Sequence, residues 1–211
     1  VYAEAFPESY KEDFDASIGL ADALIIEKLE PGELALDLYA PVVSDSRELR
    51  FKVMRVGPAM PLTKILPILE RLGVEDLDEH PYEIRRKDRA SAWILDFGLV
   101  LPKGEIYGAD TLFARFESAF EAAWRGQIAS DSFNSLVTQA GLTWQDAQLI
   151  RAYARYMRQI GSTFGQGYIE MVILENAEIS RLLIEFFRVR FDPVFAGDRE
   201  SESHTAREQF D

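Results

Sequence analysis

The 211-residue chain has no cysteine, which removes disulfides and thiolate metal sites at once. Its two histidines, His80 and His204, are too few and too separated for a histidine-based metal centre. No apolar run approaches the roughly 18 residues that suggest a membrane span. The opening residues, VYAEAFPESYKEDF, are acidic and polar where a secretory leader is basic and then apolar. Basic charge is scarce: the net charge is −13, and residues 1–48 hold twelve Asp/Glu against three Lys/Arg. Such a chain repels a phosphate backbone, so neither nucleic acid nor membrane is an expected partner. The one basic cluster, Arg85-Arg86-Lys87-Asp88-Arg89, lies between two strand-like runs and reads as a solvated hairpin turn. The cytoplasm is the expected location.

Nucleotide-binding signatures are missing too. No strand–GxGxxG–helix unit and no GxxxxGK[ST] loop occurs. Gly161, Gly165 and Gly167 form a GxxxGxG cluster, but no strand precedes it, and it reads as a break between helices. Hydride transfer to NAD needs a dinucleotide cradle and groups that orient the substrate. This stretch offers neither, so no catalytic residue, bound cofactor or metal is expected within it.

What the chain does contain is periodicity. Tyr10, Phe14, Ile18, Ala21 and Ile25 recur at near-helical spacing and predict a helix over 8–29, ended by Pro31-Gly32. Leu34, Leu36 and Leu38, then Leu49, Phe51 and Val53, alternate with other residues as strands do. Leu62, Ile65, Leu66, Leu69 and Leu72 mark a helix that Gly73 closes, with Pro67 a costly residue inside it. Strand-like runs follow at about 75–86 and 92–101. In the second, Trp93, Leu95, Phe97, Leu99 and Leu101 face one way, with Asp96 and Gly98 on the other side. His80, before Pro81, reads as structural.

From Gly108 onward the pattern is helical. Phe113, Phe116, Phe120 and Trp124 form one core stripe, and Phe186 and Phe187 another apolar pair. Thr143 and Asp146 make a capping box before a helix that Gly161 ends. On it Arg151, Arg155 and Arg158 share a side, opposite Leu149, Ala152, Tyr153, Tyr156, Met157 and Ile160. The stripe is either a solvated face or a set of contacts to acidic groups of another domain or subunit. The expected organisation is a 1–105 α+β domain, a 106–195 helical module and a 196–211 polar tail, all read as a piece of a longer protein.

The run GLTWQDAQLIRAYARYMRQIGSTFGQGYIE (Gly141–Glu170) resembles the large bacterial NAD-specific glutamate dehydrogenases. So do PLTKILPILERLGVEDLDEHPYEI, AWILDFGL, FEAAWRGQIASDSFNSLV and ISRLLIEFFRVRFDP, in that order. The resemblance implies a fragment of their N-terminal regulatory region. The fold it implies is an ACT-like, ferredoxin-like small sheet with helices on one face, followed by an all-helical module. The parent would interconvert L-glutamate and 2-oxoglutarate with NAD, while this fragment regulates or holds domains and subunits together. An independent amino-acid-sensing ACT module is the alternative. Its effector loop would be Val56–Met60, where Gly57 and Pro58 stand in an order reversed from the Asp-x-Pro-Gly of such domains, leaving a plain tight turn as the other reading.

Overall fold

The computed structural model describes residues 2, 4–41, 47–87, 89–102 and 111–208. They fall into two compact units: residues 1–70 with 74–102, and residues 71–73 with 103–211.

The first unit carries helices α1 (Glu8–Asp13), α2 (Ala16–Lys28) and α3 (Leu62–Arg71). Its strands are β1 (Leu34–Tyr39), β2 (Glu48–Val56), β3 (Glu75–Ile84) and β4 (Ala92–Val100). These make one antiparallel sheet in the order β1-β2-β4-β3. β2 and β3 therefore run parallel with β4 between them, joined through α3 as a split strand–helix–strand unit. This is the α+β, ACT-like architecture the sequence implies, followed by helices. Arg85–Arg89 is the hairpin connection of β3 and β4, with Ile84 paired to Ala92; residue 88 lies outside the described set.

The expected single helix over 8–29 is two helices. Phe14 and Asp15 are extended, and Asp15 takes the N-cap position of α2. The break turns the Tyr10 and Phe14 rings toward the sheet. The alternation read in the sequence is correct, yet both of its faces are buried. Leu49, Phe51, Val53, Leu95, Phe97 and Leu99 share one face. On the other, Met54, Val56, Ile84, Ala92 and Ile94 pack with Phe6, Tyr10, Ala23 and Ile26 of the leading helical segment. The sheet's β3 side is acidic and carries Pro81 and a register shift between Asp76 and Asp78, features that discourage pairing with a further strand.

In the second unit α4 spans Leu112–Trp124, and a 3₁₀ turn at Ser132–Ser135 leads into α5 (Leu136–Gln139). α6 (Trp144–Gln159), α7 (Gln166–Glu175), α8 (Ala177–Phe191) and α9 (Arg199–Glu208) follow. Phe133, Leu136, Ala147, Ile150, Ala154, Ile169 and Ile184 form its core. The capping box of Thr143 and Asp146 is present, with both reciprocal hydrogen bonds. Gly161, at φ +90°, ends α6 as expected, and the glycine cluster separates α6 from α7. Two core assignments change: Phe113 is exposed and Trp124 half-buried, while Phe116 and Phe120 are fully enclosed. The expected polar tail is also more ordered in form, since α9 occupies most of it and packs on α8, with Arg199 Nη1 donating to the Val189 carbonyl at 2.8 Å.

Candidate functional site

The charged side chains of the first unit gather where the leading helices meet the sheet. Lys52 of β2 is 2% exposed, registered between Asp37 of β1 and Asp96 of β4. Its Nζ lies 2.7 Å from the Asp22 carboxylate of α2. The Tyr10 hydroxyl donates to the same oxygen at 2.5 Å. Aromatic rings close the ammonium in: the Phe14 centroid is 4.1 Å away, Tyr39 5.6 Å and Tyr10 6.0 Å. Burial and the adjoining carboxylate push the Tyr10 phenol far above its ordinary pKa, so it stays a donor.

Beside this pair, Arg50 forks over β4. Its Nη2 and Nε reach Asp96 at 2.7 and 3.1 Å, and its Nη1 reaches Asp78 of β3 at 2.6 Å. Gly98 stands in register between Arg50 and Asp78. A Cβ there would come within 2.9 Å of both side chains, so glycine leaves the space that the ion pair fills. Tyr82 of β3 donates to Asp13 of α1 at 2.6 Å, and His80 lies 3.8 Å from Asp13 and 3.5 Å from Asp78.

Five carboxylates (Asp13, Asp22, Asp37, Asp78 and Asp96) thus gather around Lys52 and Arg50. Burial outweighs the pull of Arg50 and Lys52 and raises the Asp96 carboxyl above the usual range. Asp37 is raised for the same leading reason, with Lys52 opposing. A carboxyl raised in the folded state favours folding below its unfolded pKa, and that contribution fades as pH climbs through the folded value. Asp37→Asn is therefore expected to raise the melting temperature at pH 7, with the gain shrinking toward zero by about pH 3.5. Thermal unfolding of both proteins at the two pH values checks this; an equal shift at both would refute it.

Lys52 and Asp22 are closed off from solvent, and each is bound within the fold. Sequence reasoning missed this cluster because alternation places Lys52 and Asp96 opposite the apolar residues without showing what covers that face. The signal available was the pairing of a polar strand face with a helix carrying an aspartate among apolar residues, ADALII around Asp22.

The residues singled out from sequence fare unequally. Gly57 sits at φ +118° after β2, with open space where a Cβ would lie. Its N–H donates to the Ser91 carbonyl at 2.9 Å, so that donor is engaged within the fold. Pro58, next to it, is exposed. The arginine stripe divides. Arg151 is 4% exposed, bidentate to Asp131 at 2.7 Å and donating to Asn134 Oδ1 at 2.7 Å, above the Phe133 ring. Arg155 and Arg158 are exposed, and Arg158 donates to Gln166 at 3.0 Å. The opposite side of α6 is also exposed, at Tyr153, Tyr156, Met157 and Ile160. The buried side lies between the two expected ones because Asp131 and Asn134 supply Arg151 with internal partners. Among the described residues no cluster of His, Asp and Glu could hold a metal ion. No described helix is long and apolar enough to cross a membrane.

Family comparison matches three consecutive segments. Residues 1–29 match "Glutamate dehydrogenase, helical motif 2", residues 33–112 "Glutamate dehydrogenase, ACT3 domain" and residues 128–193 "Glutamate dehydrogenase, helical motif 3". Among curated proteins, an NAD-specific glutamate dehydrogenase of Halomonas elongata is 37% identical over 92% of the chain. Those of Pseudomonas aeruginosa and Mycobacterium tuberculosis are 33% and 34% identical over 90% and 97% of it. The chain spans only 12–13% of these relatives' length. Tyr10, Asp13 and Asp22 lie in the helical-motif match, whereas Arg50, Lys52, Asp78, Tyr82 and Asp96 lie in the ACT3 match. The ion-pair cluster crosses the joint between the two.

Proposed function

We infer that this chain, which belongs to the glutamate dehydrogenase family, is a support and coupling segment of a larger NAD-dependent enzyme and supplies none of its catalytic groups. The parent reaction is conversion of L-glutamate, NAD⁺ and water to 2-oxoglutarate, ammonium and NADH in the cytoplasm. NAD then belongs to the remainder of the parent, and the segment's partners are the parent's other domains and subunits.

The observation that carries this reading is the buried latch. Asp13 and Asp22 of the helical-motif segment are bonded to Tyr82 and Lys52 of the ACT3 sheet, and Tyr10 of the same segment donates to Asp22. A polar cluster of this kind fixes one arrangement of helix on sheet, because any other leaves buried charges unpaired. Such a joint transmits the position of one element to the next. Binding of the substrate's two carboxylates would call for cations free to meet them. The two buried cations among the described residues, Lys52 and Arg151, are instead bound to carboxylates of the chain itself.

The isolated chain, assayed for glutamate-dependent NADH formation, is expected to give no rate above buffer, while the full-length parent turns over. Turnover by the chain alone would end this reading. The same preparation separates support from amino-acid sensing: a saturable heat signal on titration with glutamate or other common amino acids would move the assignment to an amino-acid sensor.

A further inference from the structure

Helices α6, α7 and α8 leave an apolar groove of about 360 Å³ between them. Tyr153 and Met157 of α6, Ile173 of α7, and Leu183, Phe187 and Phe191 of α8 line it. The Phe187 ring stacks edge-on against Tyr153 at 6.1 Å and lies 4.9 Å from Phe191, which makes a continuous aromatic wall. Tyr153, Met157, Leu183 and Phe191 are each two-fifths or more exposed. A helix whose outer side met only water would carry polar residues at those positions.

We propose that this groove seats the apolar face of a helix from the same polypeptide, contributed by a part of the parent enzyme outside these 211 residues. The proposal rests on the reading of the chain as a segment of a larger dehydrogenase. Two observations select that occupant over a second copy. The chain covers 12–13% of its relatives' length, so most of such a polypeptide lies outside it and at high local concentration. The groove has room for one or two large side chains, as in helix-in-groove recognition, whereas stable pairing of separate proteins buries on the order of 1,200–2,000 Å².

The test places a photoreactive benzoylphenylalanine at position 153 of the full-length enzyme, prepared as a mixture of ¹⁴N and ¹⁵N copies and irradiated. Peptide mapping is expected to find position 153 joined to the same copy's own chain outside residues 1–211. Leu183→Asp is expected to lower that yield roughly tenfold, the factor for about 1.4 kcal/mol of lost docking. The isolated chain should remain folded with this substitution, because Leu183 is 40% exposed there and the core residue Ile184 beside it is untouched. Links between differently labelled copies, links confined to residues 1–211, or a yield no higher than from exposed position 159 would each overturn the proposal. Glutamate-dependent NAD reduction is measured in parallel. Its absence alongside the expected link removes the enzyme reading and leaves the docking intact.

Discussion

Lys52→Ala is expected to lower the stability of the first unit by about 3–5 kcal/mol, the cost of leaving one partner of a buried pair uncompensated. At this chain size that is a fall in melting temperature of roughly 6–20 °C. Three losses combine. Asp22, 3% exposed, is left with only the Tyr10 hydroxyl to answer it. The rings of Phe14 and Tyr39 lose the cation they enclose. The lysine stem also leaves a void against close-packed neighbours. The paired replacement Lys52→Met with Asp22→Leu is expected to recover most of the loss, since well-packed apolar side chains often equal or exceed a buried ion pair in stability. Urea unfolding of the three proteins tests both statements. If Lys52→Ala melts within 2 °C of the parent, the latch contributes nothing and the coupling role drawn from it fails.

Arg151→Ala is expected to be nearly as damaging in the second unit, at about 2–4 kcal/mol. The guanidinium answers Asp131 through two nitrogens and Asn134 through one, and the Asn134 amide is 2% exposed, with no water to replace the lost donor. Arg151→Lys should recover little, because an ammonium cannot reproduce the planar fork. Arg155→Ala and Arg158→Ala, on exposed parts of the same helix, should fall within about 0.5 kcal/mol of the parent. Thermal unfolding of the four variants compares them directly. Equal, small effects for all would return Arg151 to the solvated stripe.

The sequence conveyed backbone form well because turn chemistry and periodicity are local. The Thr143–Asp146 capping box, the Gly161 stop and the register-forming alternation of β2 and β4 could all be read from neighbours within a few residues. Partner choice could not. Lys52 looks like any strand lysine until Asp22, thirty residues earlier, is brought over it by the break at Phe14 and Asp15. Arg151 looks solvated until the 3₁₀ turn at Ser132–Ser135 presents Asp131 and Asn134 to it. In both places a charge is buried because a distant segment supplies its counter-charge, and no periodicity records that. The α6 aromatic face shows the converse. Its pattern is that of a packed helix, yet its cover is not among the described residues.

Gly98 has a wider effect than the room it leaves. Through it the guanidinium of one hairpin grips the carboxylate of the other above the intervening strand. Sliding β3 along β4 by a single position in one direction would bring Leu77, an apolar side chain, to the place Asp78 now holds, and the grip would close on nothing. The empty position therefore works as an alignment notch that holds β3 against a slip in that direction.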